Sequence, residues 1–352
     1  MSVLGTYFHY KGLYIKAEKW MRRALEIDEK SLGEDHPNVV IHLNNLAQLL
    51  LATNRLKEAE PLMRRALEID EKSFGKDHSD VAIRLNNLAQ LLKATNRLKE
   101  AEPLYHRALE IDEKSFGTEH PNAARDLNNL ASLLQATNRL KEAEPLYRRA
   151  LEIDEKSFGR NHPNVARDLN NLAALLTDTN RLAEAEPLMR RALEIDEKSF
   201  GRNHPEVAIA LNNLAGLYKD TNRLAEAEPL MKLALAIDEN SFGKNHPNVA
   251  TDLNNLAQLY QATNRLADVE QLMKRALAID EASFGKDHPK VAIRLNNLAG
   301  LYQATNRMSN AEPLFIRAVQ IFETSLGSEH PSTIMIRRNL DAVRSANENR
   351  HS

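Results

Sequence analysis

The sequence contains no cysteine, which removes disulfides, thiolate metal sites and cysteine nucleophiles together. Aromatic residues make up only 5% of the chain, with a single tryptophan, Trp20. No apolar run approaches the ~18 residues of a membrane-spanning helix, and the opening stretch MSVLGTYFHYKGLYIKAEKW lacks the pattern of a secretory signal. Neither sign of charge dominates, since 47 basic and 49 acidic residues leave a formal charge of −2. Nucleic acid and anionic membrane surfaces are bound by clustered positive charge, so neither is expected as a partner. What is abundant is Ala, Leu, Glu, Lys, Arg and Asn, the composition of an all-helical protein. At 352 residues one compact core would be at its usual limit, so an extended architecture or several domains is expected, with the cytoplasm as compartment.

Internal repetition decides between them. The string LNNLA begins at Leu43 and again at Leu85, Leu127, Leu169, Leu211, Leu253 and Leu295, a step of 42 residues (85 − 43). Gly33, Gly75, Gly117, Gly159, Gly201, Gly243, Gly285 and Gly327 keep the same step, as do the histidines from His36 to His330. A period of this size means stacked units, each burying its apolar face on its neighbours. Within residues 121–160, Pro121 suits the first turn of a helix, and Leu127, Leu130, Ala131 and Leu134 follow the i, i+3, i+4, i+7 stripe. Asn138 is the expected left-handed residue that closes this helix. A second helix then carries Leu140, Ala143, Tyr147, Ala150, Leu151 and Ile153 inward and ends at Phe158 and Gly159. Ala131, Ala143 and Ala150 are small where the two axes should approach most closely. Pro145 conflicts with a helix interior, so the second helix is expected to begin near Lys141 or to bend at the proline.

The small-residue and leucine positions match the tetratricopeptide repeat. The 42-residue form, with HPNVA, LNNLA, EAEPL, RRALEI and SFGKDHP, closely resembles the repeats of kinesin light chain. The resemblance implies a right-handed α-solenoid of about eight helical hairpins plus a C-terminal capping helix. Its units are placed at about 1–35, 36–77, 78–119, 120–161, 162–203, 204–245, 246–287 and 288–329, within one solenoid spanning 1–346. Met1 stands where Leu43 does, so the first unit begins partway through its first helix and looks like a start inside a longer array. Arg337 and Asp341 replace a stripe leucine and a packing alanine, which makes 331–345 a solvating cap, followed by a disordered tail at 346–352.

The first helices are expected to line an inner, concave groove. Turning the helix about its axis leaves Arg125, Asn128, Asn129, Ser132, Gln135 and Ala136 in the open window. Asparagine pairs recur there from Asn44/Asn45 to Asn296/Asn297, although asparagine is a poor helix former. A carboxamide offers two donors and an acceptor, which suits reading the backbone of an extended peptide. In tetratricopeptide domains that bind peptides an asparagine at the Asn129 register does this, so the resemblance implies the same for Asn87, Asn129, Asn171, Asn213 and Asn255. Asn128 and Asn170 are weaker candidates, closer to the neighbouring helix. The alternative is that the asparagines bond to one another and lock the stack.

Specificity should come from groove positions that vary. Arg125 and Arg167 would meet acidic residues of a guest, or else pair with Asp126 and Asp168. Lys93 and Lys219 vary at the Gln135 register, and the small residues Ser132, Ala174 and Gly216 leave room for an apolar anchor. The expected ligand is therefore a protein or peptide, acidic with an apolar anchor, held by a scaffold or adaptor. Weak self-association through the N-terminal end is a further expectation. A second possibility is a ligand-sensing segment of a larger NTPase-type signalling protein that recognises a folded partner. No cofactor and no catalysis are expected, because identical units spread titratable groups along a line. The register-matched histidines are read as helix starts, since residues one unit apart lie roughly 10 Å apart and cannot converge on a metal. Trp20, Tyr105, Tyr147 and Phe315 are read as core, and charge runs such as RRALEIDEK from Arg148 as a solvated outer face.

Overall fold

The computed structural model describes residues 14–351, all helices and connecting turns with no strand among them. The start of the first unit, and any self-association through it, lie outside the described residues. The chain divides into two compact units, residues 1–223 and 224–352. In the first unit the helices are α1 (Tyr14–Leu32), α2 (Pro37–Ala52), α3 (Leu56–Phe74), α4 (Ser79–Ala94), α5 (Leu98–Phe116), α6 (Pro121–Ala136), α7 (Leu140–Phe158), α8 (Pro163–Asp178), α9 (Leu182–Phe200) and α10 (Pro205–Asp220). The second unit holds α11 (Leu224–Phe242), α12 (Pro247–Ala262), α13 (Leu266–Phe284), α14 (Pro289–Ala304), α15 (Met308–Leu326) and α16 (Pro331–His351). The last helix therefore runs beyond the 331–345 expected of the cap. Asp341 is exposed on it, and Arg337 pairs with Glu323 at 2.6 Å.

Punctuation residues set the ends of each hairpin. His120 caps α6, its Nδ1 accepting from the Asn122 N–H at 3.2 Å, and Pro121 opens the helix where no N–H is needed. The imidazole stacks on Phe116 at 4.6 Å between ring centres. The histidine is thus a helix start, as its register implied. α6 closes through Asn138 at φ 60°, with the Arg139 N–H donating to Leu134 O at 2.8 Å. That 6→1 bond around a left-handed residue satisfies the last carbonyls. α7 starts at Leu140, one residue before the position the proline argument indicates, and passes through Pro145. The ring removes only the bond that would reach the first-turn carbonyl of Lys141, a smaller loss than in mid-helix.

Gly159 ends α7 at φ 84° and ψ 158°, a region open in practice only to glycine. Nothing lies within 4 Å of where its Cβ would stand, so the constraint is wholly in the backbone. Gly159→Ala and Gly159→Leu are each expected to cost about 1–3 kcal/mol, read as a shift in urea midpoint. A much larger loss for leucine would show a steric cause instead.

Packing follows the alanines. Ala131, Ala143 and Ala150 are fully buried, as are Leu127 and Tyr147. Within each compact unit a helix packs first on its hairpin partner and then on the next hairpin. Ala124, Leu127, Ala150 and Ile153 form one core cluster, against which Leu109 of the preceding hairpin rests. Leu151 in turn packs on Val165, Ala166 and Leu169 of the following one. Each buried leucine contributes about 1.5–3 kcal/mol, and part of that burial lies between successive hairpins. In the first unit α4, α6, α8 and α10 also touch in succession, which puts the first helices on the tighter side of the stack.

Candidate functional site

The asparagine pairs of the first helices form a ladder from unit to unit. Asn87 Nδ2 donates to Asn44 Oδ1 at 2.6 Å, Asn129 to Asn86 at 2.9 Å and Asn171 to Asn128 at 3.2 Å. In the second unit Asn297 donates to Asn254 at 2.8 Å and Asn339 to Asn296 at 3.0 Å. The accepting asparagine is itself a donor. Asn128 Nδ2 gives one bond to Ala124 O at 3.0 Å and another to Asp168 Oδ1 at 2.9 Å. Asn86 does the same to Ala82 O and Asp126 Oδ1. Asn128 is therefore buried with both donors and its acceptor engaged, and the role in locking the stack is the one seen. Asn87, Asn129 and Asn171 are half-buried and keep donor and acceptor capacity toward solvent.

Arg125 and Arg167 also serve the stack. Arg125 reaches Asp112 and Asp126, each at 2.8 Å, and Arg167 reaches Asp154 and Asp168, each at 3.2 Å. All four aspartates are fully buried, and both arginines are paired within the stack. Burial pushes Asp126 up to about 7, opposed by Arg125 and helped by the neighbouring Asp112. Asp168 is raised to about 7 in the same way, with Asp154 as its neighbour. This corrects the reading of RRALEIDEK as wholly solvated. Arg148 and Lys156 do make exposed i, i+4 pairs with Glu144 and Glu152, but Asp154 points into the interior.

Two clefts open on the first-helix face of the first unit. Asn87, Lys93, Asn129 and Ser132 come together around one of about 160 Å³. There Lys93 Nζ donates to Ser132 O at 2.9 Å and to Ser132 Oγ at 2.6 Å, and burial lowers the lysine pKa. Arg167, Asn170, Asn171 and Asn213 line the other, of about 420 Å³. In this cleft one rung of the ladder is open. Asn170 Oδ1 is buried without a partner, while Asn213, which would donate to it, stands exposed. Ala174 is exposed nearby in sequence, and open space surrounds the position of a Cβ on Gly216. Lys219 is half-buried in the last turn of α10, and Asn255 half-buried on α12 in the second unit; neither lines these clefts. Sequence reasoning missed Asp196, which lines the larger cleft.

Stacked helical hairpins with a polar ladder along their first helices define an all-helical repeat protein. The model of the tetratricopeptide repeat matches residues 1–72, 55–114, 80–156, 127–198, 169–240, 206–282 and 270–323. The chain belongs to that family. Among solved structures, BtubC (BKLC) from P. vanneervenii is 24% identical, with a TM-score of 0.51 over 71% of this chain and 94% of that one. A Rap protein complexed with Competence and Sporulation Factor is 16% identical, with a TM-score of 0.51 over 88% of this chain and 99% of that one. Nearly identical repeats from a Podosopora anserina protein described as a kinesin light chain are 24% identical, with a TM-score of 0.49 over 58% and 97%. No curated protein sequence matches the chain. No helix among the described residues is long and apolar enough to cross a membrane.

Proposed function

We propose that the chain is a non-catalytic cytoplasmic scaffold whose first-helix face in residues 37–220 holds an extended segment of another protein. One observation carries this reading: the carboxamide ladder opens at Asn170 and Asn213, at a cleft of about 420 Å³. At five other rungs the asparagines bond to one another. Here a buried acceptor and an exposed carboxamide are left to a guest, and an extended backbone supplies one donor and one acceptor per residue. The exposed Ile209 beside them offers apolar area for a side chain of that segment.

A peptide array probed with the intact chain tests the reading. Asn213→Ala combined with Ile209→Ser is expected to weaken the best-bound peptides about tenfold, the effect of one or two lost contacts. Both positions are exposed, so the melting temperature should hold. Binding that survives the double change, or an array on which no peptide is retained, would remove the proposal.

A further inference from the structure

In seven repeats the second helix carries an aspartate at one register, and in five of them the following helix sets a basic side chain against it. Asp28 meets His42 at 2.8 Å, Asp70 meets Arg84 at 2.8 Å and Asp280 meets Arg294 at 2.8 Å. Asp112 and Asp154 receive Arg125 and Arg167 from the adjacent position. Asp196 occupies the same register. The two positions that should serve it are Ile209 and Ala210, and neither can donate. Asp196 is only 6% exposed, and among the described residues nothing makes a hydrogen bond or ion pair with its side chain.

The surroundings select what could fill that role. Asp196 lines the cleft of about 420 Å³ together with Arg167, Asn170, Phe200, Glu206 and Ile209. Arg167 is already shared by Asp154 and Asp168. Three acceptors remain there, the Asp196 carboxylate, the buried Asn170 Oδ1 and the Glu206 carboxylate, beside the exposed carboxamide of Asn213. Burial and Glu206 together push the Asp196 carboxyl up to about 7, the mark of a charge the fold leaves unneutralised. Phe200 and Ile209 add apolar wall suited to a methylene stem. A guanidinium brings five N–H groups in a planar fork, enough for a carboxylate and a carboxamide oxygen at once.

We propose that Asp196 is the base of a pocket for one cationic side chain of the bound segment, an arginine in preference to a lysine. The inference rests on the reading that this face holds an extended segment, and it reverses the acidic guest expected beside Arg167. The cation that the repeat lacks comes from the partner.

Fluorescence anisotropy with nonapeptides of Ser, Ala and Gly carrying one central Arg, Lys, citrulline or Glu tests it. The Arg peptide is expected to bind at least ~10-fold more tightly than the citrulline peptide, as a charge-assisted bond requires. Asp196→Asn should abolish that preference. Ala210→Arg places a guanidinium at the register of Arg84 and Arg294, so it should raise the melting temperature while also abolishing the preference. N-acetylarginine amide alone, at millimolar concentration, should raise the melting temperature of the wild-type chain and of neither variant. Peptides that bind with no preference for Arg over citrulline, together with no effect of the amide, would overturn the pocket and leave the groove. A thermal shift by the amide that both variants lose, with no nonapeptide bound, would keep the pocket and remove the extended-segment reading.

Discussion

Arg294→Met is expected to destabilise the fold by about 3–5 kcal/mol at pH 7, the cost of breaking a buried pair from one side. Arg294 is 8% exposed and Asp280 fully buried. The guanidinium Nε donates to Asp280 Oδ2 at 2.8 Å, and its NH2 reaches Thr251 Oγ1 at 3.3 Å. Without it Asp280 keeps only the more distant field of Lys290. The pair as a whole is a poor source of stability, because both groups give up their hydration. Arg294→Met with Asp280→Leu should therefore recover most of the loss. Burial already raises the Asp280 pKa with Arg294 present, and removing the cation raises it further. A carboxyl whose folded pKa lies above its unfolded value gives stability that is complete at low pH and lost as pH rises through the folded pKa. The cost should shrink toward pH ~4, about the unfolded value of an aspartate. Urea titrations at two pH values read both effects. A penalty below about 1 kcal/mol, the range of exposed pairs, or one that does not change with pH, would show that the pair is not desolvated in solution.

The fold was legible because repetition lets each position be read seven times over. Asn138, Gly159 and His120 punctuate as their chemistry requires, and the three alanines of the helix interface are buried. The site was legible only in part. Helical angles place Asn128 and Asn129 correctly on the open side of their own helix. They do not say what the next unit presents, and Asn128 meets Asp168 across that gap. Asp154 was read as solvated because charged residues are rarely buried without a partner, and its partner Arg167 lies in another helix. The signal for Asp196 was in the sequence as a break in register. Arg84, Asp126, Asp168, Ala210, Asp252 and Arg294 share one position, and the alanine matters only once the aspartate opposite is known to be buried.

Arg167→Leu separates the structural role of this arginine from a role in binding. Its loss leaves Asp154 and Asp168, both fully buried, with no cation between them. Both carboxyls sit 3.2 Å from the same guanidinium nitrogen, so they titrate as a pair. The expected cost is about 2–4 kcal/mol at pH 8, below that of Arg294 because water can partly replace a half-exposed guanidinium. Burial already holds Asp168 up at about 7. Stability lost above that pH should return as pH falls and the pair takes up protons. Asp168 Oδ1 also accepts from Asn128, so the damage falls on the join between α6 and α8. In a stack where each unit contacts only its neighbours, weakening one join divides the array. Chemical denaturation of the variant is expected to show two transitions at pH 8 and one at pH 5. A single unshifted transition at both values would mean that Arg167 contributes nothing to the stack and is free to serve a ligand.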